Sequence, residues 1–214
     1  MVAAAEHIWL GELINAFAFI GAGGHHAGRD FFGGYCCFND VAVAIERLRE
    51  AHGLRRVAIL DTDAHHGDGT RDVYQDDPTV LHVCLCGTDH VSADGTNVDV
   101  AVYRRCFEAG FRSDEVYVEA ARGAFAPRIR SFRPDLLIWY FGFDGHRGDY
   151  GDLGLTAACY DGLVSLTLEL AGEICGGRLL VVLGGGSRTD LASTLIPPII
   201  ARLADAGGMN RWTD

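Results

Sequence analysis

Asp61, Asp63, His65, His66 and Asp68 fall within the stretch DTDAHHGDG, directly after the apolar run RVAIL. In an extended segment, side chains at i and i+2 point the same way. Asp61, Asp63 and His65 therefore project to one side, off the end of a hydrophobic strand. Two carboxylates and an imidazole converging there repel and stay poorly solvated unless a cation sits among them. Zinc accepts carboxylate oxygen and imidazole nitrogen, and a catalytic site uses three protein ligands and leaves a position open. Asp144, in GFDGH at another expected strand end, can supply the third. Turn capping would account for one of the aspartates, but not for so many polar groups in one short stretch.

His25 and His26 are adjacent and flanked by GAGG and AG. Glycines let a backbone bend closely around a site. A histidine pair alone says little; beside a metal site it can take a proton from a metal-activated water and return it to a leaving amine. A carboxylate on the far ring nitrogen fixes the tautomer, and Asp61 and Asp68 are available for that.

The elements that must position these groups alternate short β runs with amphipathic helices, the pattern of a parallel α/β sheet with helices on both faces. Strands are expected at 17–21, 56–61, 79–85, 135–141 and 179–183. Helices are expected at 40–52, with Asn39 or Asp40 as N-cap and Gly53 as stop, near 70–75, from Ser113, which caps it, with Pro127 kinking or dividing it, and at 156–173. A closing helix is expected to begin at Pro197-Pro198. Residues 86–99, rich in Gly, Asp, Ser and Asn, read as a loop. In open parallel sheets, ligands bind beyond the carboxyl ends of the strands. That rule selects GAGGHHAG, DTDAHHGDG, GFDGHRGDYG and GGGSRTD, all four rich in Gly, His, Asp or Ser.

The chain has 214 residues, 49% of them hydrophobic, enough for one packed domain spanning residues 1–214. A net charge of -11 argues against sequence-independent nucleic-acid binding, which needs a basic surface. No apolar run reaches membrane-spanning length, and no basic segment precedes an apolar one at the N-terminus, so neither a membrane partner nor a signal peptide is expected. Seven cysteines without a CxxC pair point to small buried hydrophobes in a reducing, cytoplasmic setting.

The strings GGHHAGRD, GGYCCFNDVAVAI, ILDTDAHHGDGT, FRPDLLIWYFGFDGHRGDYGDLGLT and VVLGGG, in this order, resemble the histone deacetylases and their bacterial relatives, the acetylpolyamine amidohydrolases and acetoin-utilisation proteins. The resemblance covers roughly residues 15–205. It implies an arginase/deacetylase-type α/β fold and a zinc-dependent amidohydrolase that removes an acyl group, typically acetyl, from an acetylated polyamine, small amine or acyl-lysine. It implies Asp63, His65 and Asp144 as zinc ligands; ferrous iron accepts the same donors. His26 becomes the general base and acid, His25 its electrostatic neighbour, with Asp61 paired to His25 and Asp68 to His26. A structural potassium site maps onto Asp61, Asp63, His65, Cys84 and Leu85. Tyr35 falls on the aromatic wall of the acyl-lysine channel, and Gly34, Gly185 and Gly186 join it as substrate-binding residues.

Three departures stand out. The family usually has a tyrosine after GGG to stabilise the tetrahedral oxyanion; here the residue is Ser187, too short to reach the same point. Losing one such donor costs about 10²–10³ in rate, and Tyr150 or Arg188 is the candidate replacement. The family's N-terminal strands and helices have no counterpart, which predicts an exposed sheet edge that a second copy covers. The 86–99 loop is short, so one channel wall is missing. Together these predict an open, shallow site with weak or altered activity. The alternative is a catalytically silent metal-binding homologue acting by binding or assembly. A binuclear manganese ureohydrolase needs a further Asp-x-Asp where GFDGH gives a single Asp.

Overall fold

The computed structural model describes residues 1–20 and 24–207. In chain order the elements are α1 (Val2–Trp9), β1 (Asn15–Ala18), α2 (Asp40–His52), β2 (Val57–Asp61), α3 (Asp68–Tyr74), β3 (Val80–Cys86), β4 (His90–Val91), β5 (Asn97–Ala101) and α4 (Tyr103–Ala109). They continue with a 3-10 turn at Gly110–Arg112, α5 (Ser113–Phe132), β6 (Leu136–Phe141), α6 (Ala157–Ile174), β7 (Leu179–Leu183) and α7 (Thr189–Ala206). The sheet order is β1-β7-β6-β2-β3-β5-β4. Every pairing is parallel except β4 with β5.

β2, β3 and β6 are buried along their whole lengths. This is why they read as continuous apolar runs and not as alternating ones: helices cover both faces. On one face Ile59, Ile138 and Val182 of the sheet pack with Ile8 of α1 and Ile45 and Leu48 of α2. On the other, Leu60, Val83 and Trp139 pack with Phe125 of α5, Leu163 of α6 and Leu195 of α7. Fully burying each such side chain contributes about 1.5–3 kcal/mol.

The connections fix where a ligand can sit. β2 runs through α3 to β3 on one side of it, while β6, its other neighbour, runs through α6 to β7 in the opposite direction. The strand order therefore reverses between β2 and β6, and a crevice opens beyond their carboxyl ends. The Asp61–Gly69 stretch leaves β2 at that point and the Gly142–Gly151 stretch leaves β6.

α2 has the boundaries its sequence predicts. Asn39 accepts from Ala42 N at 3.0 Å, and Gly53 ends the helix in the left-handed region at φ 71°. Several expectations differ. The first strand is Asn15–Ala18 and not 17–21, of which Gly21 lies outside the described residues. Residues 86–99 are not all loop: β4 and the start of β5 form an antiparallel pair there. Polar Asn97 and Asp99 point inward from β5 because they meet a buried polar layer, in which Arg71 holds Asp99 at 2.6 and 3.1 Å. Ser113 does not cap α5; its hydroxyl donates to Gly110 O within the preceding turn. Pro127 does not divide α5, which runs unbroken from Ser113 to Phe132, and α7 begins at Thr189 with Pro197 and Pro198 inside it. Burial of Phe125, Ala126 and Ile129 in α5, and of Leu195, Ile196 and Ile199 in α7, outweighs the lost backbone bonds. Cys37 is exposed, unlike the other six cysteines.

β1 is one edge of the sheet, and Leu13, Ile14 and Phe19 beside it are exposed. Among the described residues no helix is long and apolar enough to cross a membrane.

Candidate metal centre and active site

Asp61 ends β2 opposite Cys84 on β3 and Tyr140 on β6. Beyond it the backbone turns, and Asp63 N donates to Asp61 Oδ1 at 3.1 Å. Asp63 is buried; its Oδ1 accepts from His65 N at 2.9 Å and its Oδ2 from Gly185 N at 2.7 Å. That second contact explains the glycine: a Cβ at position 185 would lie 2.4 Å from Asp63 Oδ2. Asp144, fully buried beyond β6, accepts from Ala64 N through Oδ1 at 3.1 Å. His65 Nδ1 lies 2.8 Å from Asp144 Oδ2 and 3.3 Å from Asp63 Oδ1. One ligand atom from each of Asp63, His65 and Asp144 lies within 4.8 Å of the others.

These residues fit a divalent metal. Asp144 Oδ2 is buried and accepts no hydrogen bond, although an imidazole nitrogen is beside it. Two buried carboxylates crowd one point: burial and the Asp63 charge raise the Asp144 pKa. Burial alone would raise Asp63 as well, yet the His25 charge and the hydrogen bonds from His65 and Gly185 hold it well below the usual carboxylate range. Carboxylate, carboxylate and imidazole with an open side is the donor set of a catalytic zinc site.

The histidine pair sits over this centre. His25 is buried, with Nδ1 2.9 Å from Asp61 Oδ2 and Nε2 3.5 Å from Asp63 Oδ1. Tyr140 stacks on its ring at 4.8 Å, and the Tyr140 hydroxyl accepts from His25 N at 3.3 Å. His26 lies 4.2 Å from His25, ring centre to ring centre, and its Nδ1 is 2.5 Å from Asp68 Oδ1. Both histidine pairings expected from sequence are therefore present. Asn39 anchors the loop, donating to Ala27 O at 3.1 Å and Thr70 Oγ1 at 3.0 Å. Gly34, at φ 48°, makes room for His26, whose Cδ2 a Cβ there would meet at 2.0 Å.

His25, His26, Asp63, His65, Tyr150 and Gly185 line a cavity of about 670 Å³. Gly34, Tyr35, Gly186 and Ser187 also line it. Tyr35 is fully exposed at the rim and sits at φ 64°, an uncommon region for a residue with a Cβ. Ser187 is engaged elsewhere: its hydroxyl donates to Asp149 Oδ1 at 3.1 Å, and Asp149 also accepts from the Ser187 and Arg188 backbone. Tyr150 presents its phenol instead, stacked on His65 at 5.4 Å. Burial and the nearby Asp144 charge raise its pKa, so it stays protonated.

Sequence reasoning missed Tyr140, Asp149 and His82. Tyr140 reads as one more apolar strand residue, and Asp149 as one of many loop carboxylates. His82 lies two residues before Cys84 on β3 and is wholly buried, its Nε2 3.5 Å from Asp61 Oδ2. Of the residues mapped to potassium, Asp61 and Cys84 are cross-strand neighbours. Cys84 is buried and its pKa is pushed well above 9.0, first by hydrogen bonding with Cys86 and then by burial.

The metal-free protein has a definite pH signature. Burial works against charge on His25, but Asp61 and Asp63 raise its pKa from 6.5 to about 9. The carboxylates beside its ring, Asp144 at 2.8 Å and Asp63 at 3.3 Å, raise His65 to about 10. Raised imidazole pKa values give stability that is complete below the unfolded value and is lost as pH climbs through the folded one. The melting temperature of chelator-treated protein is therefore expected to fall between about pH 6.5 and pH 10. A flat or rising melting temperature over that interval contradicts these pairings.

A family model for the histone deacetylase domain matches residues 1–203. Histone deacetylase 15 of Arabidopsis thaliana is 34% identical over 196 residues, covering 85% of this chain and 34% of its own length. The histone deacetylase-like amidohydrolase of Pseudomonas aeruginosa is 31% identical over 199 residues, covering 86% of this chain and 51% of its own length. Among solved structures, the HDA15 HD domain superposes with a TM-score of 0.78 at 32% identity, over 97% of this chain and 63% of that one. The chain belongs to the histone deacetylase family and has its arginase/deacetylase α/β fold. It spans about a third to a half of these two relatives' lengths.

Proposed function

We propose that this chain is a zinc-dependent amidohydrolase that removes an acyl group, most simply acetyl, from an amine such as an acetylated polyamine, a small amine or an acyl-lysine. The observation that carries this reading is the convergence of Asp63, His65 and Asp144 from two strand tips beneath His25 and His26. Asp63, His65 and Asp144 would hold the zinc, which would supply polarisation of an acyl carbonyl and a lowered pKa for a water. The chain's own groups do the rest. Asp68 holds His26 Nδ1, which leaves Nε2 free to take a proton from water in the cavity. Asp61 and Tyr140 hold His25 in place, and the Asp61 carboxylate balances its charge beside the reacting centre. The glycines at 34, 185 and 186 keep the backbone clear of the acyl group.

A panel of acetylated polyamines, amino compounds and acyl-lysine peptides, assayed for acetate release with zinc restored, tests the proposal. Turnover clearly above that of Asp63→Ala is expected for at least one of them. No turnover above that variant across the panel rejects it.

A silent metal-binding homologue is the second reading, favoured by one observation: the Ser187 hydroxyl is spent on Asp149. A Ser187→Tyr variant separates the two. A large gain in rate marks a working but handicapped site, whereas no activity in either protein favours the silent reading.

A further inference from the structure

We propose that Tyr150 is the catalytic donor that binds the acyl oxygen as it becomes an oxyanion, in place of the residue that follows GGG. The inference rests on the deacylase reading above and deepens it.

The Tyr150 hydroxyl accepts from Gly186 N at 3.1 Å. Among the described residues it donates to no protein group, so its own proton is free for a ligand in the cavity it lines. Its position is fixed from two sides, by that backbone bond and by the ring's stacking on His65 at 5.4 Å, with 25° between the planes. It also lies at the metal centre. A single point, where a Cβ on Gly185 would stand, is 2.4 Å from Asp63 Oδ2, 2.7 Å from the Tyr150 hydroxyl and 3.0 Å from Asp144 Cγ. The phenol therefore reaches the space in front of the ligands where a polarised carbonyl must sit.

The other donors nearby are committed. Ser187 donates its hydroxyl to Asp149. Arg188 holds both oxygens of Asp190, at 3.1 and 2.6 Å, and the Gly148 carbonyl at 3.4 Å. Asp149 accepts the Ser187 and Arg188 N–H groups, and so turns the GGGSR segment away while its neighbour Tyr150 faces in. An adjacent loop thus presents the hydroxyl that the usual position lacks.

The step balances as follows. Water passes a proton to His26 Nε2 while its oxygen bonds to the acyl carbon. The carbonyl π pair moves onto oxygen, and the Tyr150 O–H donates to that charge. When the pair returns, the C–N bond breaks, and the departing nitrogen takes the proton from a histidine, leaving a carboxylic acid and an amine, which then exchange a proton to become carboxylate and ammonium. A donor aimed at charge that develops only in the transition state raises kcat more than it lowers KM.

The experiment uses the zinc-loaded full chain. Tyr150→Phe is expected to lower kcat by about 10²–10³ with little change in KM, with metal content kept and a larger loss than Ser187→Ala. Installing the hydroxyl from the other loop, in Tyr150→Phe/Ser187→Tyr, is expected to restore part of the rate. Mere slackening of the Gly186 loop gives no such rescue. Calorimetry supplies a readout independent of turnover: a substrate analogue carrying a trifluoromethyl ketone, which binds as its hydrate, is expected to bind Tyr150→Phe more weakly than wild type. Wild-type kcat in Tyr150→Phe, or an equal loss in Ser187→Ala, overturns the assignment while leaving the deacylase reading intact. Wild-type turnover no faster than Asp63→Ala removes both together.

Discussion

Asp144→Asn is expected to lower metal affinity by more than about 10²-fold and to take deacylation down to the level of the metal-free protein. Asp144 comes from the loop after β6, whereas Asp63 and His65 come from the loop after β2, so it alone clasps the centre from the second strand. Losing a group that only orients a metal ligand already costs about 10–100-fold in affinity or activity, and losing an anionic ligand costs more. Asparagine keeps an oxygen to accept from Ala64 N, the bond that Asp144 Oδ1 makes at 3.1 Å. It also removes one of two crowded buried carboxylates, which relieves repulsion in the absence of metal. The variant should therefore fold, and its chelator-treated melting temperature should match or exceed that of treated wild type. Metal titration and calorimetry check both halves. A zinc affinity close to wild type means that the ligand lies elsewhere.

His26→Ala is expected to lower kcat by about 10²–10⁴, the usual contribution of a positioned general acid or base, with zinc content unchanged. The geometry separates His26 from its neighbour. His25 is enclosed, with one nitrogen on Asp61 and the other facing Asp63. His26 is partly exposed, lines the cavity, and has only Nδ1 committed, to Asp68. Steady-state rates and metal analysis on the same sample give the test. Unchanged kcat in His26→Ala moves the proton-transfer role to another group, with His25 first in line.

Much of the architecture was legible because the central strands obey simple rules. VAIL and LLVVL are apolar throughout and run into polar or glycine-rich segments, and both lie in strands at or near the expected limits. α2 announces itself through Asn39 and Gly53. The meeting of Asp63, His65 and Asp144 was legible because DTDAHHGDG and GFDGH each follow an apolar strand, although the backbone turns after Asp61 and leaves that carboxylate on His25. What remained hidden depended on partners distant in sequence. The polar residues of β5 look like loop until Arg71 and His66 are seen to face Asp99. Pro197 and Pro198 look like a helix start until burial of the residues around them is seen to carry α7 through. At position 187 the sequence shows that a tyrosine is missing, but not that Asp149 takes the serine hydroxyl and leaves Tyr150 facing the cavity.

Anomalous X-ray scattering at the zinc edge, from crystals of the zinc-loaded protein, tests the central claim most directly. The account predicts a strong peak bonded to Asp63, His65 and Asp144, within reach of His26 across the cavity. A peak at the buried Asp61, His82 and Cys84 cluster instead, or none on a protein that still releases acetate, contradicts it.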